Sequence, residues 1–153
     1  MRSRLLLALL ATGVAAFACG PRSHSSETTS SVPPSMVRQE NSPLATSLNV
    51  TVDDGVRLAF NVMNASAKTI ELRFPSGQTH EFIVLDESGR EIWRWSAGQM
   101  FTQALQTKML DAGETIAYDD RWRPEGLRGS FTAVATLNSS SHPVETRVLF
   151  TIP

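Results

Sequence analysis

Cysteine occurs once in the 153 residues, at Cys19, and tyrosine once, at Tyr118. A single thiol excludes an intrachain disulfide, so any folded part must be held by a hydrophobic core. Histidine stands only at His24, His80 and His142, with no His-x-x-x-His or Cys-x-x-Cys spacing. The sequence therefore predicts no metal site and no cofactor. No glycine-rich loop follows a strand and opens a helix, and no Gly-x-Ser-x-Gly elbow is present. Ser76, His80 and Asp86 are the one Ser, His and Asp set worth weighing, and strand alternation puts no special turn beneath Ser76. No catalytic residue is assigned and the chain is read as a non-enzyme. Positive charge is also short: Lys+Arg number 14 against 15 Asp+Glu, a formal net charge of −1. Such a balance leaves no electrostatic footprint for nucleic acid.

Long apolar runs are missing except at the start. Arg2 and Arg4 precede the 13-residue run Leu5 to Phe17, which rises about 20 Å as a helix and falls short of a bilayer core of about 30 Å. Residues 1–18 thus read as a signal peptide. Ala16-Phe17-Ala18-Cys19 resembles the bacterial lipobox, which makes Cys19 the lipidation candidate. Gly20 in place of Asp after the cysteine favours the outer membrane, if the organism has one. Residues 20–45 hold seven Ser, two Thr and four Pro, too little apolar surface to offset ordering entropy. The expected organisation is a leader over 1–18, a lipidated, disordered tether over 19–45, and one folded domain over 46–153. Its expected location is the cell envelope, lipid-anchored and facing the periplasm or exterior, with the membrane touched through the lipid alone.

Beyond Thr46 the apolar period is two. Leu48, Val50 and Val52 alternate with polar residues, Asp54-Gly55 turns the chain, and Leu58, Phe60 and Val62 return it, the pattern of a hairpin. Ile70, Leu72 and Phe74 follow. Phe82-Ile83-Val84-Leu85 is a continuous run, which predicts a strand covered on both faces. Alternation recurs at Ile92-Trp93-Arg94-Trp95, at Ile116 and Tyr118, at Phe131, Ala133, Ala135 and Leu137, and at Val148, Phe150 and Ile152. The fold class is all-β: an immunoglobulin-like antiparallel sandwich of about eight or nine strands. One segment departs from it. Met100, Phe101, Ala104 and Leu105 recur at i, i+1, i+4 and i+5, which predicts one short helical turn over Gly98 to Gln106.

Two segments carry the remaining information: Phe74-Pro-Ser-Gly77-Gln78-x-x-Glu81-Phe82, and Trp93-Arg-Trp95-Ser96-x-Gly-x-Met100-Phe101-Thr102-Gln103-Ala104-Leu105. Leu110-x-x-Gly113-Glu114 and Trp122 follow downstream. In this order they resemble the BsuPI family of intracellular proteinase inhibitors, over roughly Thr46 to Pro153. The resemblance implies a small all-β domain that inhibits serine proteinases without catalysis. The family's founding members act inside the cell, whereas the leader points this chain outward.

Inhibition requires a segment held near the extended shape a proteinase cleft accepts. Gln99, Met100, Phe101, Thr102 and Gln103 form the candidate inhibitory loop, and Ser76, Gly77 and Gln78 a second candidate turn. The spacing and size of Trp93, Trp95, Met100, Phe101, Leu105 and Trp122 favour an inward orientation, with Met100, Phe101 and Leu105 as a plug over one end of the sandwich. Two function classes fit: a lipid-tethered inhibitor or binder of a secreted or periplasmic, subtilisin-like serine proteinase, and a non-inhibitory structural or adhesive module that binds another envelope protein.

Overall fold

The structure, a computed structural model, describes residues 42–153 and the backbone of Val37 and Arg38. Its strands are β1 (Val37–Arg38), β2 (Leu44–Asp53), β3 (Gly55–Asn64), β4 (Ile70–Phe74), β5 (His80–Leu85), β6 (Glu91–Arg94), β7 (Gln106–Leu110), β8 (Thr115–Trp122), β9 (Gly129–Leu137) and β10 (Val144–Ile152). One sheet has the order β1-β2-β3-β8, the second β10-β9-β5-β6, and β4 and β7 form a separate two-stranded ribbon. All pairs are antiparallel. This is the all-β, immunoglobulin-like sandwich that the alternation predicts, with the ribbon as an addition. β2 begins at Leu44, which is buried, and its first residues pair with β1.

The longest hairpin shows why these residues are strands. Leu48 pairs with Phe60 and Val50 with Leu58, so one face of both strands is wholly apolar and can leave water together. Asp54 alone turns the chain between Asp53 and Gly55. Gly55 has φ 113°, and a Cβ there would lie 3.0 Å from the Trp122 carbonyl. Only glycine fits both the conformation and the space.

Across the sandwich Leu48, Val50, Leu58, Phe60 and Val62 meet Phe82, Val84, Ala133, Ala135 and Leu137, all buried. Phe60 and Phe82 touch edge to face between the sheets, ring centroids 6.5 Å apart. Leu72 and Phe74 of β4 and Leu110 of β7 add the ribbon's inner face to this core. Each such side chain contributes about 1.5–3 kcal/mol by leaving water. A hydroxyl pair, Thr46 Oγ1 with Thr146 Oγ1 at 2.6 Å, links β2 to β10 inside the structure.

Two expectations are corrected here. Ile83 and Leu85 are half-buried rather than covered, because they lie on the outer face of the second sheet while Phe82 and Val84 fill the core. The helical turn over Gly98 to Gln106 is absent. Two reverse turns stand instead, Ala97 N to Arg94 O at 3.2 Å and Gln99 N to Ser96 O at 3.0 Å, followed by an irregular segment to Leu105. Nine residues containing Gly and Thr make a marginal helix, and tertiary partners for their backbone groups outcompete it.

Asn64 closes the end of β3. It is fully buried; its Nδ2 donates to the carbonyls of Lys68 (2.8 Å) and Leu110 (2.9 Å), and its Oδ1 accepts from the amide and hydroxyl of Ser66. Asn64→Ala removes all four bonds and leaves the Leu110 carbonyl without this donor. The expected cost is about 2–3 kcal/mol, seen as a fall in Tm of roughly 10–20 °C.

Candidate functional site

β4 and β7 pair with Phe74 opposite Gln106. That register sets the chain leaving β4 beside the chain entering β7, so the turn at Pro75 to Thr79 and the loop at Trp95 to Leu105 emerge together. The two candidate segments are thereby one site: Gly77 N donates to Thr102 O at 2.8 Å. A Cβ on Gly77 would lie 2.8 Å from Thr102 Oγ1 and 3.3 Å from Thr102 N. Glycine at 77 therefore serves close approach of the two segments, and Ser76 Oγ supports the same turn by accepting from Gln78 N at 3.2 Å.

Beneath the start of the loop lies Glu81, a buried carboxylate. Strand alternation points Phe82 and Val84 into the core and Glu81 away from it, where the returning chain covers it. Its Oε2 accepts from Gln78 Nε2 at 3.0 Å, from Arg94 Nη1 at 3.2 Å and from the Ser96 hydroxyl; its Oε1 accepts from Ser96 N at 3.1 Å. Main-chain and side-chain donors from three segments thus converge on one group. Glu91, through a side-chain hydrogen bond, and Glu81 hold the Arg94 guanidinium pKa above its usual value. Charged hydrogen bonds of this kind are worth about 1.5–3 kcal/mol each, and a buried carboxylate stripped of them is strongly destabilising.

On the inner side the support is aromatic. The His80 ring lies between Trp95 and Tyr118, each centroid 4.1 Å away, with Phe82 at 5.4 Å. Trp95 in turn carries Phe101, 5.6 Å distant. Burial pushes the His80 pKa below its ordinary 6.5, against the opposing pull of Asp120 and Glu81. Burial also raises the Tyr118 phenol, a hydrogen bond from Thr79 working the other way. Further along, Trp93 stacks on Trp122 at 6.1 Å, so an aromatic pair joins the edge strands β6 and β8.

The plug orientation is corrected. Met100 is 99% exposed and Leu105 84%; Phe101 is half-buried, as are Trp93 and Trp95, and Trp122 alone of the set is buried. Trp95 takes Phe101 inward, and with Gly77 holding Thr102 the residue between the reverse turns and Phe101 is forced outward. Gln99, Thr102 and Gln103 are exposed beside Met100. Gln99 Nε2 donates back to Trp95 O at 2.8 Å. The loop is open to a partner at its tip and fastened on both sides.

Glu81, Arg94 and Ser96 meet at the base of the loop, an arrangement that spacing alone does not assign. An acid placed directly before a buried Phe, with Gln three residues earlier, is the signal that marks Glu81. Ser76, His80 and Asp86 are each engaged separately, Asp86 by Ser88 and Arg90. Among the described residues no group of three or more His, Cys, Asp or Glu is placed to hold a metal. Cys19, the lipidation candidate, lies outside the described residues.

Comparison with known proteins places the chain. The family described as BsuPI, intracellular proteinase inhibitor, matches residues 44–142, and the chain belongs to that family. None of the curated proteins compared with it matches. A solved structure assigned to the ApaA protein of Bordetella pertussis is similar at 16% identity, covering 82% of this chain and 90% of that one with a TM-score of 0.35. The GAE domain of GGA2p from Saccharomyces cerevisiae is similar at 12% identity, covering 78% and 97%, TM-score 0.28. At these scores neither adds to the reading of the loop. The family description, an intracellular inhibitor, corrects the expected envelope location. That expectation rested on Leu5 to Phe17 and Cys19, and on no residue of the folded domain.

A base whose folded pKa lies below its unfolded value binds fewer protons when folded. Stability from neutral His80 is therefore complete above its ordinary 6.5 and is lost as pH falls through the lower folded value. Thermal melts from about pH 7.5 down to about pH 5 are expected to show a falling Tm, with a shallower slope in His80→Phe. Equal slopes in the two proteins would contradict a half-buried imidazole with a lowered pKa.

Proposed function

We propose that this BsuPI-family domain inhibits a subtilisin-like serine proteinase by laying residues 99–103 in its cleft, with Met100 filling the primary pocket. Family membership supports a proteinase partner and a non-enzymatic role. The observation that carries the loop assignment is Met100, 99% exposed between two fastened ends. Burial of such an exposed apolar side chain in a partner is worth about 1.5–3 kcal/mol. The fastening matters as much. Gly77 to Thr102, Glu81 to Ser96 and Trp95 to Phe101 fix the chain on either side of Met100, so little backbone entropy remains to be lost on binding.

The mechanism is occupation without chemistry. The loop's exposed backbone offers hydrogen bonds to the strand edges of a substrate cleft, and the thioether enters a pocket built for large unbranched apolar groups. The Ser76 to Gln78 turn, packed behind Thr102, acts as the buttress rather than as a separate contact. No member of the loop takes part in bond making.

Two variants test this against a subtilisin-like proteinase. Met100→Glu puts a charge into an apolar pocket and is expected to raise the inhibition constant at least about a hundredfold, with Tm within about 2 °C of the parent because the side chain touches nothing. Gln99→Arg perturbs the neighbouring contact and is expected to change inhibition about tenfold. Unchanged inhibition in both, with the fold intact, would remove this loop as the contact and leave a non-inhibitory binding module as the reading.

A further inference from the structure

We propose that Met100 is an oxidation site whose conversion to methionine sulfoxide by a peroxide switches the inhibitory loop off; this rests on the loop reading above. The described methionines are Met63, Met100 and Met109, and their environments differ sharply. Met63 is half-buried in β3, Met109 is 55% exposed on β7, and Met100 is 99% exposed. The Met100 sulfur thus meets solvent oxidants without any rearrangement of the domain.

The position that makes Met100 useful for binding is the one that makes it reactive. A residue aimed at a partner's pocket has no shielding neighbours of its own. Trp95 already holds Phe101, and Gly77 already holds Thr102, while Met100 itself stands 99% exposed. Protection comes only from the partner, which covers the sulfur once bound.

The chemistry balances with hydrogen peroxide as the oxidant. A sulfur lone pair attacks one peroxide oxygen, the O–O bond breaks as the S–O bond forms, and the second oxygen leaves as water after proton transfer. The thioether loses two electrons and the peroxide gains them. The product replaces an apolar, flexible side chain by a polar one with a strong acceptor oxygen. In an apolar pocket that oxygen is stripped of water without a donor in return, so binding weakens. A thiol-dependent sulfoxide reductase reverses the step.

The test treats the full chain with graded hydrogen peroxide and reads two quantities on the same samples. Peptide mass spectrometry follows oxygen addition at each methionine, and a proteinase assay follows inhibition. Met100 is expected to oxidise ahead of Met109 and Met109 ahead of Met63. Inhibition is expected to weaken about tenfold or more in step with Met100, and to return after sulfoxide reductase treatment. Met109→Leu should leave the loss in place, whereas any inhibition retained by Met100→Leu, whatever its starting level, should no longer respond to peroxide. Complete Met100 oxidation with inhibition intact overturns the switch, as does loss that tracks any other methionine of the chain. Oxidation of Met63 before Met100 overturns the site on its own ground. If the untreated protein inhibits no subtilisin-like proteinase, the loop reading fails and the switch with it, while the oxidation order still reports whether Met100 is the exposed thioether.

Discussion

A carboxylate removed from water must be met by donors, and in this domain that constraint falls on Glu81. Its position on β5 follows from alternation: Phe82 and Val84 are committed to the core, so the residue before Phe82 faces the other way. There it is buried under the chain that returns from β6, and Gln78, Arg94 and Ser96 supply the donors. The need to satisfy one charge thus dictates the path of three segments. The turn before β5, the last residue of β6 and the first residues of the loop are drawn to the same point.

The rest of the site follows from that convergence. Once Ser96 is fixed, Trp95 is held against His80, and Phe101 finds Trp95 as its surface. The ribbon β4–β7 supplies the second restraint, because its register sets Gly77 beside Thr102. Between these fixed points Met100 stands outward. Replacing a buried ion-paired network by apolar side chains of the same volume is often neutral or stabilising, so net stability alone does not account for this one. Its value to the protein is a loop that is exposed and ordered together.

How much of this the sequence makes legible differs by element. The β2–β3 hairpin and the β9 and β10 strands are plain, since period-two alternation bounded by Asp54-Gly55 or Gly129 has few other physical solutions. The Phe82 to Leu85 run misleads only about cover: a continuous apolar stretch does not say whether a second layer lies over its outer face. The loop is harder. Met100, Phe101 and Leu105 have helical spacing and core-like size, but spacing cannot show that Trp95 takes the Phe101 ring while Gly77, across the ribbon, takes the Thr102 carbonyl. Glu81 stands in a recognisable motif, yet its role depends on donors from residues 78, 94 and 96 meeting in space. The separate nature of the two candidate segments dissolves for the same reason. His80, a polar residue next to that turn, becomes part of an aromatic stack only when β8 brings Tyr118 alongside.

On the proposed function, the buried carboxylate orders the loop, and that order is what a proteinase would bind. Glu81→Gln keeps shape and volume, removes the charge, and turns one acceptor of the cluster into a donor facing other donors. The direct measurement is amide hydrogen exchange of the 95–103 segment, paired with the inhibition constant on the same preparation. The account predicts faster exchange confined to that segment, with the β2–β3 and β9–β10 pairs still protected, and inhibition weaker by about tenfold or more. Unchanged protection of the loop, or a loosened loop that inhibits as well as the parent, would contradict it.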